Sequence, residues 1–219
     1  MKSIFLFALL SLFTLSDFNC QSESNNSKDK EEEPSIVKTN AEPMSDLPFH
    51  QIPDAPETFT AATVAARTID GLGYRFYWAS EGLTEKDLSY DPGNENRSPG
   101  QMIDHFVGLS ETIVNAIKKL PNIRPTEKKE GTFDEKRKIV LQNLKAASDL
   151  LHNNPDMDLS ECKIIFQRGE KKSEYPFWNL INGPIADAIY HSGQLVSYRR
   201  SSGNPMNPNV SVFRGITKE

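Results

Sequence analysis

Residues 98–120, SPGQMIDHFVGLSETIVNAIKKL, read as one amphipathic helix. Ser98 is an N-cap, and Pro99 fits the first helical position, where its missing N–H has no helical partner to lose. Met102, Phe106, Leu109, Ile113, Ile117 and Leu120 then fall on one stripe at three- and four-residue spacing, and Pro121 ends the run. The same period recurs on both sides. Upstream, Ile69, Leu72, Phe76, Ala79 and Leu83 share a face with Tyr74, Tyr77 and Trp78 alongside, which predicts a helix over 57–81. Gly71 and Gly73 each weaken it by about 1 kcal/mol relative to Ala and mark a close approach by another element. Downstream, Thr132-Phe133-Asp134-Glu135 fits a capping box and opens a third helix through Ile139, Leu141, Leu144, Leu150 and Leu151 as far as Asn153.

A longer connection follows, with a short β-like run at 163–166 turning at Gly169. The fourth helix starts near Trp178 or Pro184 and ends at Arg200, with Ile181, Ile185, Ile189 and Val196 as its apolar face. After Gly203 the tail is irregular, with Val210, Val212 and Phe213 able to dock on the helices. These elements define an all-α fold, an antiparallel four-helix bundle with one long crossover and a short β-like segment.

The chain has 219 residues, 37% of them hydrophobic, enough for one domain with a core plus some extra chain but not for two full-size domains. A net charge of −5 without a dense Lys/Arg stripe argues against a nucleic-acid partner. The two cysteines cannot build a disulfide scaffold or a thiolate zinc cluster.

Residues 1–19 carry Lys2 and then an apolar run over 4–15, and read as a signal peptide. Cys20 follows directly, where a bacterial lipoprotein carries its acylated thiol. Asp17, Phe18 and Asn19 depart from the small residues usual there, so a plain signal-peptidase cut that leaves Cys20 an ordinary thiol is the alternative. Residues 20–55 are Ser-, Asn-, Glu-, Lys- and Pro-rich and read as a flexible acidic tether, and 56–219 as the helical domain. The remaining thiol, Cys162, reads as a small core residue. The chain is therefore expected to be exported to the cell envelope, with a lipid anchor on Cys20 as its membrane contact.

Each of the four histidines can be judged separately. His50, at the end of the tether, is expected to be solvated, and His152, in the last turn of the third helix, to complement the helix dipole. His105 lies at the edge of the second helix's apolar stripe and points into or along the bundle. In the fourth helix Leu180, Asp187, His191, Gln194 and Tyr198 form a stripe of their own, and Asp187 and His191 stand at i and i+4. That spacing suits a helix-surface hydrogen bond or a buried polar pair. It equally suits two ligands of a divalent cation, with a histidine from a facing helix as the third.

The segment 98–105 resembles the start of the second helix of the DinB/YfiT-like four-helix-bundle metalloproteins, whose first ligand is a His in a similar setting. The segment 187–195, DAIYHSGQL, is similar to that family's fourth-helix motif of two His residues four apart, followed by Gly and Gln. The resemblance implies a metal site of His105, Asp187 and His191, with Asp187 standing where the family has its remaining His. Two His and one carboxylate suit Zn, Ni or Fe(II), and the carboxylate lowers the charge of the site by one. Gln194 would orient a ligand or the substrate, Tyr198 would line the mouth of the site, and Arg199 would complement the helix dipole or hold an anionic substrate group.

The resemblance further implies hydrolysis of a small molecule or thiol-dependent transfer, and a homodimer. Export disfavours transfer reactions that use cytosolic thiols, which leaves a metal-dependent hydrolase. A tethered bundle that binds a ligand or an envelope partner without chemistry is the alternative.

Overall fold

The computed structural model describes residues 47–126 and 130–218, which are mostly helical with a small sheet. Helix α1 (Ala61–Ser80) starts behind Thr60, α2 (Glu85–Leu88) behind Thr84, α3 (Pro99–Ile117) behind Ser98 and α4 (Phe133–His152) behind Thr132. In all four, the cap side chain accepts the N3 backbone N–H and the N3 side chain accepts the cap N–H. The two starts expected from sequence, at Ser98 and Thr132, are both present.

Helices α1 and α3 each pack against α4 and against α6 (Ala186–Ser201). The expected α1 face of Ile69, Leu72, Phe76, Ala79 and Leu83 is buried, as are Met102, Phe106, Ile113 and Ile117 of α3. Leu120 lies beyond the helix and is exposed. Pro121 begins a strand, β1 (Pro121–Ile123), that pairs parallel with β2 (Ile164–Arg168); β2 turns at Gly169 into antiparallel β3 (Lys171–Tyr175). Cys162 is buried, and burial pushes its thiol up, so it behaves as the expected core residue.

The fourth helical run departs from the expected phase. Helix α5 (Phe177–Leu180) passes into a five-residue π-helical segment, Ile181–Ile185, containing Pro184, before α6 begins. The wider turn puts Leu180 and Ile185, five residues apart, in the core and leaves Ile181 38% exposed. Fully buried positions then recur at Ala188, Ser192, Leu195 and Arg199, while of the expected face Ile185 is buried, Ile189 and Val196 pack half-buried against the core and only Ile181 is exposed.

Two buried arginines close the C-terminal end of α1, where a helix leaves its last carbonyls without partners. Arg137 of α4 donates to Tyr77 O at 3.2 Å and Ser80 Oγ at 2.9 Å and pairs with Glu81. Arg199 of α6 donates to Trp78 O at 2.9 Å and Ala79 O at 3.1 Å.

Close by, the buried Asp87 accepts from Thr84 N at 2.8 Å, Asn204 Nδ2 at 2.8 Å and Ser202 Oγ, tying α2 to the end of α6. Burial pushes this carboxyl up, but the bonds from Ser202, Asn204 and Thr84 together outweigh burial and hold it well below the usual range. The folded value is depressed, so the stabilisation is full above the ordinary carboxyl value of 3.8 and fades as pH falls through the folded value. Asp87→Asn should therefore be less stable near neutrality by about 1–3 kcal/mol and should lack this part of the acid-induced loss. Urea unfolding from pH 7 down to acid checks this; parallel stability profiles for the two proteins would contradict it.

In the segment expected to continue the tether to residue 55, Phe49 is buried and Ile52 half-buried, while Gln51 and residues 53–55 are exposed. Phe49 lies over Gly73, where an added Cβ would stand 2.5 Å from its ring, so the close approach marked by this glycine is to an aromatic side chain. Nor is His50 simply solvated: its exposed ring meets Tyr77 at 5.6 Å and Trp78 at 5.0 Å between centroids, and its carbonyl accepts Trp78 Nε1. Ile52 N donates to Gly215 O in the tail, which forms the short pair β4 (Val210–Ser211) and β5 (Ile216–Thr217). Val210 is half-buried, whereas Phe213 does not dock and is exposed. Among the described residues no helix is long and apolar enough to cross a membrane. The expected signal peptide and Cys20 lie outside the described residues.

Candidate metal centre

Pro99 and the Ser98 cap fix the start of α3, and His105 follows after less than two turns on the side facing α6. On α6, Asp187 lies in the first turn and His191 one turn later, so their side chains project together. The Asp187 carboxylate sits between the two imidazoles. Its Oδ2 is 2.9 Å from His105 Nε2 and its Oδ1 is 3.3 Å from His191 Nε2. The rings stand edge to face with centroids 4.9 Å apart. Side-chain exposure is 28% for His105, 41% for Asp187 and 10% for His191, so the cluster is rooted in the packed helices and open on one side.

One ligand atom from each residue lies within 4.8 Å of the others, and the group can hold a metal ion. Tetrahedral bonds of about 2.0–2.2 Å require ligand atoms about 3.3–3.6 Å apart, so the separations need to change by only fractions of an ångström to about one ångström. The hydrogen bonding around His191 also fits. Gln194 Oε1 lies 2.6 Å from His191 Nδ1, while Gln194 Nε2 donates to Tyr190 Oη at 3.1 Å. An amide oxygen only accepts, so Nδ1 carries a proton and Nε2 is the nitrogen that faces Asp187. The neighbouring Asp104 pairs with Lys136 at 2.6 Å, so its charge is answered outside the cluster.

The structure thus brings His105, Asp187, His191 and Gln194 together. Tyr198 instead sets its ring 6.1 Å from that of Tyr90, and at 1.5 Å per residue it lies about 10 Å beyond His191 along the helix. Arg199 lies in the last turn of α6, as expected, but is buried and donates to the last carbonyls of α1 and to Asn204, which corrects the substrate-anion expectation. His152 lies in the last turn of α4, as expected, and has a partner of its own. Its Nε2 is 2.8 Å from Oδ2 of the fully buried Asp70, whose other oxygen accepts Ser148 Oγ, so this histidine joins α4 to α1.

Sequence reasoning missed Tyr190, whose exposed ring lies 5.4 Å from that of His191. Its signal was present: Tyr190 precedes a candidate ligand and stands at i−4 from Gln194. No protein-family model, curated protein or solved structure matches the chain. The described residues define a mostly helical protein with a His/Asp/His group that can hold a metal ion.

Proposed function

We propose that this chain is a divalent-metal-dependent hydrolase of a small molecule in the bacterial cell envelope, exported by residues 1–19 and anchored through a lipid on Cys20. The convergence of His105, Asp187 and His191 from two helices carries this reading. An antiparallel four-helix bundle with one long crossover, of the DinB/YfiT-like kind, is its framework. Supporting that framework are the packing of α1 and α3 against α4 and α6 and the occurrence of the two family-like motifs on α3 and α6.

When bound, Zn, Ni or Fe(II) supplies Lewis acidity that polarises a substrate oxygen and makes water a better nucleophile. His105 and His191 offer imidazole nitrogens, and Asp187 contributes the negative charge that offsets the cation. Gln194 holds His191 in the tautomer that presents Nε2. Tyr190 offers the substrate an exposed ring and a hydroxyl hydrogen, since its oxygen already accepts from Gln194.

The test is a panel of p-nitrophenyl esters, phosphates and anilides, assayed with the chelator-stripped chain and after reloading with each metal. Hydrolysis that returns with metal and is absent in His105→Ala and Asp187→Ala is expected. Rates indifferent to metal, or unchanged in both variants, would contradict the reading.

A further inference from the structure

A second feature lies away from the metal centre, where the start of α1, the 3-10 turn at Leu159–Glu161 and the α5 and π-helical run enclose a groove of about 680 Å³. That volume is in the range of small-molecule pockets, about 300–1,000 Å³. Phe59, 95% exposed, and Trp178, 73% exposed, stand on its rim. Phe59, Val64 and Thr68 also line an adjoining cavity of about 350 Å³. Val64 and Ile181 present further exposed apolar surface within the groove. Large aromatic and aliphatic side chains gathered around a concavity differ from singly scattered exposed ones and mark a binding surface.

The polar groups of the groove decide what it takes. Thr60 Oγ1 donates to Pro155 O at 2.6 Å, Thr68 Oγ1 donates to Val64 O at 3.0 Å, and the third hydroxyl, Ser160, bonds the Asp158 carboxylate, so all three are engaged within the chain. Asp158 is the one ionised group lining the groove among the described residues, and its carboxylate accepts the Ser160 N–H. Among the described residues no lysine, arginine or histidine lines the groove to answer an anionic head group. An extended peptide would bring backbone N–H and C=O groups that find few partners here, at a cost of about 1–3 kcal/mol for each one buried. We propose that this groove is a binding site for an uncharged hydrophobic small molecule, an aliphatic or aromatic compound without an ionised head group.

The test uses the full-length chain with the neutral fluorescent probe N-phenyl-1-naphthylamine, displaced by dodecanol or dodecanoate. Val64→Asp and Ile181→Asp change exposed positions and put a charge into the groove, and thermal unfolding establishes that each variant is folded. Expected are saturable binding of one probe per chain, displacement by dodecanol at least tenfold more effective than by dodecanoate, and at least tenfold weaker probe binding in a folded variant. Three results would overturn the proposal. They are no probe binding by the folded chain, binding indifferent to both substitutions, and a concentration-dependent dimer that Ile181→Asp dissociates, which would make this face an interface between copies.

Discussion

Replacing His191 with Ala should weaken Zn binding by more than the roughly 10–100-fold that loss of an outer-shell partner causes, and Gln194→Leu should cost about that range. The order follows from the hydrogen bonds. His191 provides one of three ligand atoms and is the most buried of the three. Gln194 touches only its far nitrogen, so its removal frees the ring to change tautomer and orientation without removing a donor. Calorimetric titration of Zn into the stripped proteins gives the affinities, and nitrogen NMR of the imidazole gives the tautomer. The account expects an Nδ1-protonated His191 in the native chain and a mixture in Gln194→Leu. Equal affinities across all three proteins would remove the site.

The largest expected loss of stability is at Arg199. Arg199→Ala leaves the Trp78 and Ala79 carbonyls without their donor, opens a cavity between α1 and α6, and removes a buried cation near Asp87. Breaking a buried charged network of this kind costs about 3–5 kcal/mol. Arg199→Lys should recover only part, because one ammonium cannot reach both α1 carbonyls and the two Asn204 oxygens. The exposed neighbour Arg200→Ala should stay within about 0.5 kcal/mol of the native chain. Urea unfolding measures all three. An Arg199→Ala protein of native stability that had lost turnover would restore the substrate-binding role that the buried geometry denies.

These two sites show what could be read in the chain. Signals carried by neighbouring residues were legible: the Ser98-Pro99 and Thr132-Glu135 starts, the α1 and α3 stripes, and Asp187 beside His191 one turn apart. Features that depend on distant partners were not. Arg199 and His152 read only as charges at helix C-termini because nothing nearby in sequence shows that Trp78 and Asp70 come to meet them. The three residues of β1 have no period of their own and become a strand only by pairing with β2. The fourth helix misled for a different reason. The π-helical segment shifts the phase ahead of α6, so a 3.6-residue wheel drawn through Ile181 and Ile185 centres the buried stripe away from Ala188, Ser192 and Leu195 and places the exposed Ile181 inward. Asp187 and His191 both lie beyond that reset, so their mutual spacing was unaffected.

X-ray absorption on the Zn-loaded chain tests the central claim most directly. The account predicts one tightly held ion per chain with two imidazoles and at least one oxygen donor in its first shell, and one imidazole fewer in any ion retained by His105→Ala. A chain that takes up no stoichiometric Zn, Ni or Fe(II), or a first shell without imidazole, would contradict it.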